Sequence, residues 1–449
     1  MCVRLTWRPS HCQEGNAIVS WDFETDPEFQ AELDWVDDFV RNEVEPVDQV
    51  IHHAWDMKDP VRQALIPPLQ QQVRDRGLWA CHLGPNLGGP GYGQVKLALL
   101  NEILGRSHSA PIVFGCQAPD SGNAEILAHY GTDELKKRYL QPLLDQEVVS
   151  AYSMTEPRGG SDPTGFVTRA ERDGDEWVIN GEKWFSSHAN FAEFLIVLAV
   201  TDPNEERHRR MSMFVVDKET PGVEIVRNVG IYGHLEEEAT HSYVRYTDVR
   251  IPADHMLGGL GEGFLVAQTR LGGGRIHHAM RTIGLVKSAF DQMCERALSR
   301  STQGETLARK QLVQAMIADS WIQIEQFRLL VLRTAWRIDK WDDYQRVRAD
   351  ISAVKAAMPK VLHDVASRAL QIHGSLGVSH EMPFASMVLE SFHMGLADGA
   401  TEVHQITLAR ELLKGDTPTP DLFPTRHIPK LKAEAETRFA DVLASAGRM

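Results

Sequence analysis

Long apolar runs are absent from this sequence of 449 residues. The longest uninterrupted apolar stretch, Phe194 to Val200, is far shorter than the ~20 residues that a membrane-spanning helix needs. Positive charge is also scarce, because 47 Lys and Arg face 62 Asp and Glu, which gives a formal net charge of −15 at pH 7. Both deficits argue against membranes and nucleic acids as partners of the whole chain.

Cysteine is rare and irregularly spaced. The five cysteines are Cys2, Cys12, Cys81, Cys116 and Cys294. They form no C-x-x-C pair, so we predict reduced, buried thiols instead of a disulfide framework. Histidine is more common, with 19 residues, but pairs such as His277-His278 are adjacent and would point to different faces of a helix. We therefore predict no metal site.

The common catalytic motifs are missing as well. The absence of G-x-G-x-x-G, P-loop, H-E-x-x-H and G-x-S-x-G patterns disfavours a Rossmann nicotinamide enzyme and a P-loop kinase. The N-terminus lacks the apolar core of a secretory signal, and Gly447-Arg448-Met449 is no peroxisomal signal, so we expect a cytoplasmic protein. A hydrophobic content of 43% is typical of a chain that forms folded domains.

Apolar periodicity divides the chain into consecutive parts. We predict a helical domain at 22–150, a β domain at 151–262, a helical bundle at 263–415 and a C-terminal extension with one further helix at 416–449. In the bundle, Ile276 and Met280 begin one apolar stripe and a second includes Trp321. In the β domain, Asn180-Gly181 predicts a hairpin turn between short strands.

A polar, glycine-bearing segment lies where the helical pattern gives way to strands. It reads Ala151-Tyr-Ser-Met-Thr-Glu-Pro-Arg-Gly-Gly-Ser-Asp162. Exposed N–H groups and hydroxyls in such a segment suit a ring system and its phosphates. A capped turn would explain Thr155, Ser161 and Asp162 equally well without any ligand.

Four motifs together carry a family resemblance. They are Thr155-Glu-Pro-x-x-Gly-Ser-Asp162, Asp173-Gly-Asp-Glu-Trp-Val-Ile-Asn-Gly-Glu-Lys183, Tyr246-Thr-Asp-Val-Arg-Ile-Pro252 and Gln371-Ile-His-Gly374. Their order and spacing resemble the acyl-CoA dehydrogenase family from about residue 25 to 413. The resemblance implies an α+β fold, with a helical N-terminal domain, a β-barrel-like middle domain and a C-terminal four-helix bundle. It also implies FAD, held between the last two domains.

The resemblance assigns several residues to FAD. Thr155 matches a threonine that hydrogen-bonds the flavin ring, and Ser161 matches a serine near the phosphates and pantetheine. Phe185 replaces a tryptophan beside the flavin, and Ser187 replaces a threonine near N5; an aromatic face and a hydroxyl are retained. Further cofactor contacts expected in these motifs are Tyr152, Met154, Gly160 and Gly374.

A second group of matched residues implies a shared cofactor site. Arg300-Ser-Thr-Gln303-Gly304 resembles the family's Arg-x-x-Phe-Gly turn, with Gln303 at the Phe position. In relatives that arginine reaches the FAD pyrophosphate of a neighbouring subunit, and Gln371 matches a residue at the same interface. The resemblance therefore implies that this protein forms a homodimer or homotetramer. The alternative for Arg300 is a cation near the negative end of a helix dipole.

Asp398 is the candidate catalytic base. Most relatives have a Glu before a Gly at this place, and here Asp398 precedes Gly399. The family's other base position is Gly274, before Arg275, and cannot serve. Glu402 would be displaced by about 6 Å along a helix. An N-cap role for Asp398 is the structural alternative. The expected substrate contacts are Ser161, Arg275 and Gly399.

The resemblance implies FAD-dependent α,β-dehydrogenation of an acyl-CoA to a trans-2-enoyl-CoA, with an electron-transferring flavoprotein as acceptor. Gly274-Arg-Ile-His-His-Ala-Met-Arg281 resembles a branch whose eukaryotic members are fused to a kinase, which we do not expect within these 449 residues. A flavin oxidase or monooxygenase on the same fold and a non-catalytic subunit stay open as alternatives. The acyl chain stays open too.

Overall fold

The computed structural model describes residues 23–448. Cys2, Cys12, the predicted domain start at residue 22 and the N-terminal signal analysis lie outside these residues. Along the described chain, helices are followed by one β-sheet and then by long helices. The α+β prediction, with its helical, β and helical parts, is confirmed.

The N-terminal part is helical. Its helices are α1 (Pro27–Phe39), α2 (Pro60–Asp75), α3 (Gly93–Leu104), α4 (Ala110–Val113), α5 (Asp120–Tyr130), α6 (Asp133–Leu135) and α7 (Gln141–Leu144). The start of α1 shows how sequence fixes such a helix: Pro27 occupies the first turn, and the Asp26 side chain accepts the N–H of Phe29 at 2.9 Å. Phe29, Leu33 and Val36 then form its buried face.

The middle part is an eight-stranded sheet. Its strands are β1 (Ser150–Ser153), β2 (Arg169–Asp173), β3 (Glu176–Ser187), β4 (Phe194–Val200), β5 (Met211–Asp217), β6 (Val223–Val229), β7 (His241–Pro252) and β8 (Met256–Leu257). The order is β6-β7-β3-β2-β4-β5-β8, and β1 pairs with β4 in parallel. Every residue of β4 is buried, because this central strand is covered on both faces.

The predicted Asn180-Gly181 hairpin is wrong. Strand β3 runs straight through this dipeptide, and the turn from β2 to β3 lies earlier, at Gly174 with φ +60°. Asn180 and Gly181 instead mark a β-bulge opposite β7, where the Asn180 side chain exchanges two hydrogen bonds with Asp248. Gly181 is required there because a Cβ would lie 2.5 Å from the Thr168 hydroxyl.

Long helices form the C-terminal part. They are α8 (Gly263–Ser299), α9 (Gln311–Trp341), α10 (Arg348–His373), α11 (Ser375–Val378), α12 (Phe384–Met394) and α13 (Thr401–Leu413), with a small hairpin of β9 (Ser301–Thr302) and β10 (Glu305–Thr306). One core joins these helices to the N-terminal ones. The predicted stripe of α8 is buried, with Ile276 and Met280 both 0% exposed. Trp321 of α9 departs from its predicted stripe and is 56% exposed.

The extension contains two short helices where one was predicted. They are α14 (Ile428–Arg438) and α15 (Ala440–Ser445), and neither contains a buried residue. Within residues 23–448, no helix is both long and apolar enough to cross a membrane, and no group of three or more acidic, Cys or His side chains is arranged to hold a metal. Cys81 and Cys116 are buried free thiols, and Cys294 is half-buried.

Candidate active site

A buried ion pair holds the segment that follows β1. Lys183 of β3 and Glu156 lie 2.9 Å apart, with side chains 0% and 3% exposed. Lys183 Nζ also donates to the Met154 carbonyl, while Glu156 accepts two backbone N–H groups of the returning chain. Burial raises the pKa of Glu156, but the Lys183 charge and these donors outweigh it and hold that pKa below its ordinary value. The backbone on both sides of Thr155 is therefore fixed.

The same segment leaves polar atoms available for a ligand. The Tyr152 hydroxyl is buried and has no hydrogen-bond partner among the described residues, and the Tyr152 ring packs 3.9 Å beneath the Arg270 guanidinium. Thr155 is half-buried, and Ser161 is exposed. A Cβ at Gly160 would meet open space. The arrangement can accept hydrogen-bonding groups of a molecule between the sheet and α8.

The end of β3 faces helix α12. Ser187 Oγ hydrogen-bonds His241 Nδ1 at 2.8 Å, and the Phe185 ring stacks on His241 at 5.2 Å. His241 lies edge-on to His393 of α12, whose Nδ1 pairs with the Tyr232 hydroxyl at 2.8 Å. Burial lowers the pKa of both histidines to about 4, so both rings are neutral at pH 7. Ser187 is therefore connected to the C-terminal helices through His241 and His393.

Asp398 lies in a strained turn between α12 and α13. Its φ is +54°, that of Gly399 is +105°, and its carbonyl accepts Arg275 Nε at 2.9 Å and His404 Nε2 at 3.3 Å. The N-cap alternative is wrong, because α13 begins after Ala400 and has no side-chain cap. The Asp398 backbone is instead anchored by two neighbouring helices, which frees its carboxylate for other contacts.

The Asp398 carboxylate enters a cationic environment along α8. Its Oδ2 lies 3.3 Å from His278 Nε2, and its Oδ1 lies 4.0 Å from Arg270 Nη1. A Cβ on Gly274 would lie 2.9 Å from Oδ2, so a larger residue at position 274 would displace the carboxylate. Burial raises the pKa of Asp398, but the His278 hydrogen bond and the nearby arginine charges outweigh it and hold the pKa well below its ordinary value. The carboxylate is ionised at neutral pH.

Other carboxyl groups are less well placed than Asp398. Glu402 is exposed on α13. Glu125 of α5 lies against α8 at Gly273, where its Oε2 would be 3.4 Å from a Cβ added to that glycine. Burial raises the pKa of Glu125 to about 7, although the Arg270 charge opposes the rise. Glu125 is a titratable group that the sequence analysis missed.

The matched residues at the far end of α8 form a separate group. Arg300 is exposed, and its Nη1 lies 3.4 Å from the His373 carbonyl and 3.1 Å from the Cβ position of Gly374. Gln371 is exposed at the end of α10, and Gln303 is exposed with φ +52°. Since α8 rises 1.5 Å per residue, the 25 residues from Arg275 to Arg300 span roughly 38 Å. Within one chain, this group therefore lies far from Asp398.

Sequence reasoning missed Arg270 and His278. Both lie on α8 four residues from Gly274, so they share its face. That spacing could have identified them once Gly274 was placed beside Asp398. His241 and His393 offered no such signal, because they are 152 residues apart and meet only in the folded chain.

A cavity of about 240 Å³ borders His278. Gln117, Arg281, Glu390 and Met394 also line it. Burial raises the pKa of Glu390, which favours its neutral form. The cavity provides space next to the hydrogen-bond partner of Asp398.

Comparison with known proteins agrees with this architecture. Three family models match, namely the N-terminal, middle and C-terminal domains of acyl-CoA dehydrogenase, at residues 26–147, 151–249 and 261–413. FadE2 of Mycobacterium tuberculosis, named a probable acyl-CoA dehydrogenase, is 39% identical over 89% of this chain and 94% of its own length. Acyl-CoA dehydrogenase family member 11 of Gallus gallus is 40% identical over 77% of this chain. The matched region is only 45% of the length of that relative.

Solved structures are similar across nearly the same range. A Mycobacterium abscessus protein assigned to the acyl-CoA dehydrogenases has a TM-score of 0.81 at 38% identity, covering 88% of this chain and all of its own. Butyryl-CoA dehydrogenase from Megasphaera elsdenii has a TM-score of 0.74 at 25% identity, covering 87% of this chain and all of its own. With all three domains matched in order and FadE2 similar over almost its full length, the chain belongs to the acyl-CoA dehydrogenase family.

Proposed function

We propose that this protein is an FAD-dependent dehydrogenase that converts an acyl-CoA to its trans-2-enoyl-CoA, with Asp398 as the base. The observation that carries the proposal is the ionised Asp398 carboxylate beside Gly274, with its backbone carbonyl bound by Arg275 and His404. A carboxyl group has to be ionised and held in position before it can act as a general base. Asp398 meets both requirements.

Asp398 would take the substrate's α-proton on its carboxylate. Arg275 fixes the Asp398 backbone, and Gly399 leaves room for the His404 ring, whose Nε2 would lie 2.8 Å from a Cβ at that position. The cavity beside His278 offers room for part of the acyl chain. Ser161 is exposed, and it would contact the pantetheine or phosphates of CoA.

The residues present fit FAD, which when bound supplies the hydride acceptor. The buried Tyr152 hydroxyl lacks a partner among the described residues and suits a flavin contact. Met154, Thr155, Gly160, Phe185 and Ser187 would complete the surroundings of the ring and phosphates. Arg300, Gln303, Gln371 and Gly374 would bind the FAD of a second subunit, since Arg300, which contacts the end of α10, lies about 38 Å along α8 from Arg275 in its own chain. The active form would then be a homodimer or homotetramer.

The electron acceptor separates this function from its alternatives. We propose an electron-transferring flavoprotein, whereas an oxidase or monooxygenase would use oxygen. The test mixes the purified flavoprotein anaerobically with a panel of acyl-CoA thioesters and follows bleaching of the flavin absorbance. It then adds either an electron-transferring flavoprotein or air-saturated buffer.

The proposal predicts bleaching by at least one thioester, formation of the enoyl-CoA, and faster reoxidation by the flavoprotein than by oxygen. Faster reoxidation by oxygen would replace the dehydrogenase with an oxidase. A purified protein that contains no flavin and binds none would overturn the catalytic assignment altogether.

A further inference from the structure

We infer that His278 is a positioning residue for Asp398, and that it lets a side chain one methylene shorter than glutamate serve as the base. The inference rests on the proposed function. His278 Nε2 lies 3.3 Å from Asp398 Oδ2, with the two side chains 24% and 17% exposed. Of the two ionisable side chains that approach this carboxylate among the described residues, His278 is the closer, because Arg270 stays 4.0 Å away.

The two oxygens of Asp398 are attracted in different directions. Arg270 lies nearer Oδ1, and it is held there by Asn123 Oδ1 at 3.0 Å and by the Tyr152 ring. A carboxylate released from His278 could rotate to bring both oxygens to the guanidinium, a favoured bidentate geometry. The bond to His278 opposes that rotation and leaves Oδ1 for the substrate's α-proton.

The shape of α8 supports this role. Arg270, Gly274 and His278 follow one another at four-residue intervals, so they form one row beneath Asp398. Glycine in the middle lets Oδ2 come within 2.9 Å of the Cβ position, which brings it within reach of the ring one turn later. Arg275 and His404 fix the Asp398 backbone, but His278 is needed to fix the side chain.

Other titratable groups near Asp398 do not replace His278. Lys355 of α10 donates to the Met394 carbonyl, and His404 bonds the Asp398 carbonyl instead of its carboxylate. His393 of α12 pairs with the Tyr232 hydroxyl. Each contributes charge or bulk around Asp398, but none makes a hydrogen bond to its carboxylate.

A double-mutant cycle tests the inference. Anaerobic flavin reduction by a thioester that bleaches the wild-type flavin is measured for wild type, His278→Phe, Asp398→Asn and the double variant. Because a misplacement of about 1 Å can cost on the order of 100-fold, we expect His278→Phe to slow reduction by roughly 10- to 100-fold. In the Asp398→Asn background, where no base remains to be positioned, it should cost less than about threefold.

Two further variants separate positioning from general damage. His278→Gln keeps a side-chain N–H donor and should recover most of the rate lost in His278→Phe. His277→Gln alters the neighbouring half-buried histidine, whose ring lies edge-on to His82, and should reduce flavin at close to the wild-type rate. Thioester affinity, measured by spectral titration, should change little in His278→Gln, which adds no bulk to the cavity beside residue 278.

Equal slowing by His278→Phe in both backgrounds would overturn the positioning role while leaving Asp398 as the base. Failure of His278→Gln to exceed His278→Phe would overturn it as well. Undiminished reduction in Asp398→Asn would instead refute the base assignment of the proposed function. The failures of the two proposals are therefore distinguishable.

Discussion

Replacing Glu156 with Gln should destabilise the middle domain strongly. Glu156 neutralises Lys183, whose side chain is 0% exposed, and it also accepts the N–H groups of Val167 and Thr168 at 2.7 and 2.9 Å. The amide of Gln presents one acceptor oxygen to these donors and leaves the buried ammonium without a counter-charge. Breaking a buried ion pair from one side costs about 3–5 kcal/mol, so the melting temperature should fall by on the order of 10 °C.

The assay is urea and thermal unfolding of Glu156→Gln beside Glu171→Gln. Glu171 forms an ion pair with Arg169 at 3.1 Å, but those side chains are 71% and 61% exposed, and such surface pairs contribute only about 0–1 kcal/mol. Because Glu156 also fixes the backbone around Thr155, its variant should retain less FAD after gel filtration. If Glu156→Gln loses no more stability than Glu171→Gln, the argument from burial is refuted.

Three further changes test the buried carboxyl group of Asp120, at the start of α5, and two parts of the site. Burial raises the pKa of Asp120 to about 6. Its contribution to the free energy of unfolding is therefore fully present below pH ~4 and is lost as pH rises through 6. In urea unfolding, Asp120→Asn should remove up to ~3 kcal/mol of that pH dependence. Gly274→Ala places a Cβ 2.9 Å from the Asp398 carboxylate and should slow rapid-mixing flavin reduction at least about 10-fold, with the fold unchanged by circular dichroism. Arg300→Ala removes a cation whose only hydrogen bond among the described residues is to the His373 carbonyl, so FAD per chain should fall while unfolding changes little; full FAD occupancy would refute the shared site.

The sequence predicted those parts of the fold that depend on local pattern. The apolar run from Phe194 to Val200 coincides with strand β4, because an uninterrupted apolar run suits a strand buried on both faces. The Asn180-Gly181 turn failed because the same dipeptide also satisfies a β-bulge, and only the pairing of β3 with β7 distinguishes the two. Trp321 follows the helical period of its stripe, yet its exposure depends on which neighbours reach α9.

The candidate site was only partly predictable. Asp398 and Thr155 came from motifs, and their roles remain predictions. Arg270 and His278 were missed because the helix period gives no reason to inspect that face until Asp398 is known to lie against Gly274. The link from Ser187 through His241 depends entirely on tertiary contact between distant segments.

Flavin reduction in Asp398→Asn tests the central claim most directly. The amide keeps the size of the carboxylate but cannot accept the α-proton, so bound FAD and thioester affinity should persist while anaerobic reduction slows by at least about 100-fold. Asp398→Glu, measured beside it, should retain more activity than Asp398→Asn because a carboxylate remains. Reduction at the wild-type rate in Asp398→Asn would contradict the account and remove Asp398 from the reaction.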